Sequence, residues 1–184
     1  GALMASLKPT EKLPGKKAAI IGGGPTGIAA AYFLARGGVE TTIFEREAKL
    51  GGVPRYVIPA FRISDEALDK DVALMERLGV EVKCGAPAPS VDELKKMGYT
   101  HILMATGAWQ AGELGIPGNV KGVIGWMKEM KQQVKPCIEG HVVVVGAGNT
   151  AMDAARVAKR MGAASSTIVY RRTKKEMPAD EHEL

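Results

Sequence analysis

The chain has 184 residues, of which 46% are hydrophobic and 24% charged, with a formal net charge of +5. This is ordinary globular composition, enough to bury the core of one large domain or two small ones. No apolar run reaches the ~18 residues of a membrane-spanning helix, and two cysteines 53 residues apart, with no CxxC, exclude a redox dithiol and a four-cysteine metal cluster.

In chain order, residues 1–15 read as a loose polar lead-in, with Gly1 to Ser6 resembling a cloning remnant that is set aside. Lys17–Ile21 is predicted as a strand. Thr26–Arg36 is predicted as a helix, apolar nearly all round and so expected to be buried. Thr41–Phe44 is a second strand, and Lys49 to Ser64, with Gly51, Gly52, Pro54 and Pro59, reads as a long loop. Ser64 can cap a helix over Asp65–Leu78, whose acids Asp65 and Glu66 lie in the first turn. A short strand over Val80–Lys83 follows. Ser90 with Glu93 forms a capping box for a helix to Met97, and His101–Ala105 is a fourth strand ending in Thr106-Gly107. The glycine-rich stretch from Gly112 to Gly125 is the expected boundary between a domain over 16–111 and another over 112–184. Ile124, Met127, Met130 and Val134 then mark a helix of about three turns. Val142–Val145 is an all-valine strand expected to be fully buried, a helix runs to Met161, and Thr167–Tyr170 is the last strand.

Two stretches carry the chemistry. The first runs strand, Gly22-Gly23-Gly24-Pro25-Thr26-Gly27, helix, strand, Glu45. That is the order of a dinucleotide-binding βαβ unit. Gly22 permits the sharp turn out of the strand. Gly24 lets a pyrophosphate approach the backbone, and Gly27 lets the helix pack on the strand. The helix N-terminus offers free N–H groups to phosphate. Glu45, 23 residues after Gly22, is placed to accept from a ribose diol. An ordinary glycine turn competes for the bare motif. It loses ground once the flanking strand, helix and terminal acid are all present.

The same plan recurs as Val142–Val145, Gly146-Ala147-Gly148-Asn149-Thr150-Ala151, helix, strand, but ends in Arg171-Arg172. An acid at that end favours the free ribose of FAD or NAD, whereas paired arginines favour a 2′-phosphate. Seven basic residues and no acid lie from Arg156 to Lys175: Arg156, Lys159, Arg160, Arg171, Arg172, Lys174 and Lys175. Only Tyr170 interleaves them as an aromatic, so no nucleic-acid partner is expected. His101, His141 and His182 read as structural or exposed, and no residue is singled out as a catalytic acid or base.

Together, Gly22 to Gly27, Glu45-Arg46, Leu50-Gly51-Gly52, Tyr56 to Arg62, Ala105-Thr106-Gly107, Leu114 to Gly118, Val145 to Asp153 and Val169 to Ala179 resemble the glutamate synthase small-subunit family. That group also includes dihydropyrimidine dehydrogenase and bacterial selenate reductase subunits. The resemblance covers about residues 16–181. It implies an α/β fold of two Rossmann-like units, FAD then NADPH, and a flavin that passes electrons to an iron–sulfur or molybdenum-type partner subunit or domain. By resemblance Gly22, Gly24, Pro25, Thr26, Gly27, Glu45 and Arg46 would hold FAD. Gly51, Gly52 and Val53 would approach its flavin side, and Ala105, Thr106 and Gly107 would close over it. Gly146, Gly148, Asn149 and Thr150 would hold the NADP(H) phosphates, and Arg171 and Arg172 the 2′-phosphate.

The chain departs from that family in two ways. It lacks the family's leading cysteine-rich segment, and it stops where the family continues to a Gly-Asp segment that returns to FAD. Both units are therefore expected to be truncated on their C-terminal side, as a fragment of a longer subunit. Unpaired thiols suit a reducing compartment, and a cytoplasmic location is expected. The alternatives to a flavoprotein oxidoreductase module are a non-catalytic nucleotide-binding scaffold and a stand-alone flavin monooxygenase.

Overall fold

A computed structural model describes residue 8, residues 10–110, residue 112 and residues 114–183. Its elements run β1 (Lys17–Ile21), α1 (Pro25–Arg36), β2 (Glu40–Glu45), α2 (Gly52–Tyr56), α3 (Asp65–Arg77), β3 (Glu81–Cys84), α4 (Val91–Lys96) and β4 (His101–Met104). There follow α5 (Val123–Lys131), β5 (His141–Val145), α6 (Asn149–Arg160), β6 (Ser165–Val169) and two 3-10 turns, Lys174–Glu176 and Glu181–Glu183. The chain divides into two compact units. One holds the residues up to Tyr56 together with Ile63–Ala108, and the other holds Val57–Arg62 together with the residues from Trp109 on.

In the first unit, four parallel strands lie in the order β3-β2-β1-β4. Parallel neighbours need crossovers, and the helices supply them. Successive strand residues face opposite sides of the sheet. Ile20 and Ile43 therefore join one core with Ala31, Met75 and Leu78, while Ala19 and Phe44 join another with Leu94 and Tyr99. With both faces covered, β2 is buried from Thr41 through Glu45. The predicted caps form: Ser64 Oγ accepts from Ala67 N–H at 3.3 Å, and Ser90 with Glu93 closes a reciprocal box.

The structure corrects four local expectations. Helix α1 is not buried all round. It packs through Gly27, Ala31 and Ala35, and Phe33 is 68% exposed. The expected Lys49–Ser64 loop contains α2, because the buried Arg55 side chain donates from Nε to Leu50 O, closing that turn. Helix α5 stops at Lys131, short of Val134, which is 97% exposed. Strand β5 is not fully buried: Val143 and Val145 are exposed and alternate with half-buried Val142 and Val144. The β5–β6 sheet has two strands, parallel from His141↔Ser165 to Val145↔Val169, and α6 packs against both. An apolar run on a sheet covered on one face alternates in burial as any half-covered strand does.

Candidate functional site

The first glycine turn leaves the C-terminal end of β1. Gly22 N–H donates to Phe44 O at 2.9 Å, and Gly23 N–H donates to Glu45 Oε2 at 2.7 Å. Glu47 N–H donates to Glu45 Oε1 at 2.9 Å, so each carboxylate oxygen of this buried acid holds one backbone donor. A carboxylate has about four acceptor positions, which leaves Glu45 able to accept further bonds. Gly27 is sterically fixed, because a Cβ there would lie 1.9 Å from Gly22 O. Gly24 is different. A Cβ there would meet only Gly52 Cα, at 3.8 Å, so the turn is open on that side. No side chain caps α1, Pro25 has no N–H, and Thr26 and Gly27 carry its first-turn donors.

The other segments expected around this turn are found beside it. Gly51 N–H donates to Gly23 O at 2.7 Å, and a Cβ on Gly52 would come within 2.8 Å of Gly24 Cα. Val53 follows in α2 and is half-buried. Ala105 N–H donates to Ile21 O at 2.8 Å, and a Cβ on Gly22 would lie 2.3 Å from Ala105 O. Thr106 and Gly107 follow, exposed. Arg46 is exposed, with Nε 3.8 Å from a Glu47 carboxylate oxygen. Three glycine-bearing segments far apart in sequence thus converge at the C-terminal edge of β1, β2 and β4, the place where open α/β sheets take ligands.

The second turn repeats the first bond. Gly146 N–H donates to Val169 O at 2.9 Å. That bond aligns Val169 with Phe44 and Tyr170 with Glu45. Arg171 then matches Arg46, so the arginine pair sits one residue later than its simple correspondence with Glu45 in the sequence. Gly148 precedes α6 with no side-chain cap, and Asn149 and Thr150 open the helix, exposed. Of the seven basic residues, three have structural partners. Arg156 bonds Glu183, Lys159 Nζ donates to Ala163 O and Ala164 O at 3.0 and 2.9 Å, and Arg160 lies 4.0 Å over the Phe61 ring. Arg171 and Arg172 are exposed, and no described residue pairs with either side chain.

Sequence reasoning missed what surrounds this second turn. Ala179 N–H donates to Ala147 O at 3.1 Å, and Asp180 N–H donates to Asn149 Oδ1 at 2.9 Å. Ala147, Met152 and Ala179 are packed together with Met177 and Tyr170. Glu183 accepts from both Arg62 and Arg156, and Arg62 Nε donates to Asp153 at 2.7 Å. The Arg62 guanidinium, then that of Arg156, lowers the Glu183 carboxyl to about 2, and Arg62 is raised in turn. The signal available was the Met177-Pro178-Ala179 motif, whose role the sequence left open. Of the histidines, His101 Nδ1 lies 2.9 Å from Thr100 Oγ1 and His141 Nδ1 lies 2.7 Å from Ser165 Oγ.

Two βαβ glycine turns in one chain, one ending in an acid and the other in arginines, define the class by fold: paired dinucleotide-binding units of the Rossmann type. More closely, the chain matches the pyridine nucleotide-disulphide oxidoreductase family over residues 16–183 and belongs to it. It is 43% identical over 166 residues to YgfK of Escherichia coli (strain K12), a candidate oxidoreductase, covering 88% of this chain and 16% of that protein. It is 34% identical over 187 residues to the glutamate synthase [NADPH] small chain of Halomonas elongata, covering 92% of this chain and 39% of that one. This bears out the resemblance carried by the motifs. Among solved structures it is similar to Lactococcus lactis thioredoxin reductase, with a TM-score of 0.64 and 25% identity over 91% of this chain and 59% of that one. The chain thus spans well under half the length of these two curated relatives. Among the described residues, no helix is long and apolar enough to cross a membrane.

Proposed function

We propose that the first unit, with its glycine turn at Gly22–Gly27, binds FAD and that the second, with its turn at Gly146–Ala151, binds NADPH, the two forming an electron-entry module of a larger redox enzyme. The observation that carries this reading is the convergence of Gly22–Gly27, Gly51–Gly52 and Ala105–Gly107 around a buried Glu45. The residues fit the cofactor. Gly24 leaves a gap without a Cβ, the first turn of α1 supplies N–H donors, and Glu45 keeps acceptor capacity for a ribose diol. When bound, the flavin would supply two-electron acceptance from a nicotinamide and one-electron release to a partner.

The chain's own residues bind and orient. Gly24 to Gly27 hold the FAD pyrophosphate, Glu45 the ribose, and Gly51 to Val53 with Ala105 to Gly107 bound the cofactor's path. Gly146, Gly148, Asn149 and Thr150 hold the second pyrophosphate, and Arg171 with Arg172 a 2′-phosphate. An iron–sulfur or molybdenum-type subunit or domain receives the electrons. The words small chain in the name of the glutamate synthase relative support a partner chain, and the [NADPH] in it supports the nucleotide. The free thiols Cys84 and Cys137 suit a cytoplasmic setting.

The test is the visible spectrum of the purified chain after incubation with FAD, followed by anaerobic NADPH. A flavin band near ~450 nm that bleaches on NADPH addition is expected. A protein that stays colourless and takes up no FAD would leave the scaffold reading in its place.

A further inference from the structure

The first glycine turn is held from beneath by a carboxylate on β2, through the Gly23 N–H bond to Glu45. The second has no such acid. The residue in register with Glu45 is Tyr170, whose hydroxyl donates instead to Glu176 O at 3.0 Å. What holds the second turn comes from further along the chain. Ala179 N–H reaches Ala147 O, and Pro178 Cγ lies 4.0 Å from where a Cβ on Gly148 would stand. Asp180 N–H reaches Asn149 Oδ1, and Asp180 Oδ1 accepts from His182 N–H at 3.0 Å. An amide whose oxygen is occupied by an N–H donor presents its NH2 elsewhere, so this bond fixes which end of Asn149 is free. At the far end, Glu183 is gripped by Arg62 and Arg156, with Arg156 also donating to Glu183 O at 3.1 Å.

We propose that Met177–Glu183 is a positioning strap for the second glycine turn, with Glu183 as its anchor and the Asn149 amide as the group it orients toward a nucleotide pyrophosphate. The proposal rests on the NADPH reading of the second unit. By ordering Ala147 to Asn149 before ligand arrives, the strap lowers the entropic cost of binding. It acts on the turn, not on the 2′-phosphate. Weakening it should therefore cost NADPH and NADH alike, whereas loss of Arg171 and Arg172 should separate them.

The test uses the 184-residue chain with Glu183→Gln and, independently, Arg156→Gln. Amide exchange at Ala179 and Asp180, NADPH and NADH affinity, FAD uptake and the melting temperature are read together. Faster exchange at both amides is expected, with both nucleotides weakened about three- to tenfold by the same factor, FAD uptake unchanged and the melting temperature only slightly lowered. A wild-type chain that binds NADPH, with both variants binding it equally well, overturns the strap alone. Nucleotide loss without faster exchange overturns it too, because Glu183 would then act on the ligand directly. A wild-type chain that binds neither nucleotide refutes the reading of the second unit, and the strap's role with it.

Discussion

The two glycine turns share a plan and differ in how they are kept in shape. In the first, strand, helix and turn are locked by direct contact. Gly27 has no room for a methyl group, and Glu45 ties Gly23 and Glu47 from within a sheet covered on both faces. In the second, the third motif position is Ala151, whose Cβ lies 3.8 Å from where one on Gly146 would stand. There the turn is secured by loop backbone and by a partly buried cluster of charges. A motif thus needs its turn held, and either a buried acid or a trailing segment can hold it. The two units also differ in the charge at the end of the second strand: a buried carboxylate, Glu45, in the first and the exposed Arg171 and Arg172 in the second.

The sharpest way to break this contrast is an alanine swap at the third motif position. Gly27→Ala forces a backbone clash and should cost about 3 kcal/mol or more, whereas Ala151→Gly should cost only about 0.5–1 kcal/mol, both read by thermal melting. Equal costs would show that the two turns are equally tight. Replacing Arg171 and Arg172 together with alanine should weaken NADPH at least about ten- to a hundredfold, the worth of one charge-assisted bond at roughly 1.5–3 kcal/mol, and more if both arginines bond the phosphate. NADH should be nearly unaffected. Equal losses would make the arginines general attractors and return the cofactor choice to undecided.

Glu45→Ala should weaken FAD about tenfold, at roughly 1 kcal/mol for each lost hydrogen bond, while leaving nucleotide binding by the second unit intact. Unchanged FAD affinity would sink the role of Glu45. The smallest effect is that of pH on the charge cluster. The Glu183 carboxyl is lowered from 4.5 to about 2 in the folded chain, so its contribution is complete above pH 4.5 and is lost as pH falls toward 2. Wild type and Glu183→Gln should differ slightly in melting temperature above that window and converge below it. The difference should shrink in high salt, because the cluster is only partly buried.

Much of this was legible in the sequence because local rules and global packing agreed. The Ser64 and Ser90 caps, the order of strands and helices around Gly22 and the recurrence at Gly146 all follow from short-range chemistry. The placing of Gly51–Val53 and Ala105–Gly107 beside the first turn came from the family resemblance and not from short-range chemistry, and their convergence is seen only in the structure. Burial was read less well. The apolar surface of α1 and the valines of β5 looked core-like, yet whether an apolar residue is covered depends on what lies opposite it, which periodicity does not encode. The register of the arginine pair was misplaced by one residue, since a strand's end is fixed by its partner's hydrogen bonds. The strap was invisible because its two key bonds use backbone N–H groups, which every residue but proline possesses.

Residues 57–62 have a consequence for how such an enzyme can change by recombination. They belong with the second unit although the chain on either side of them belongs to the first, so the polypeptide changes unit after Tyr56, Arg62 and Ala108. Val57 and Pro59 are buried and line the same small cavity as Met127 and Met130, while Lys131 Nζ donates to Ile58 O. A single crossover near Ala108 would import a new second unit without its matching hexapeptide. The hybrid would inherit mismatched apolar side chains and an Arg62 with no assurance of its acids. Replacing one unit while keeping the other therefore takes two coordinated exchanges, which binds the pair into one heritable block.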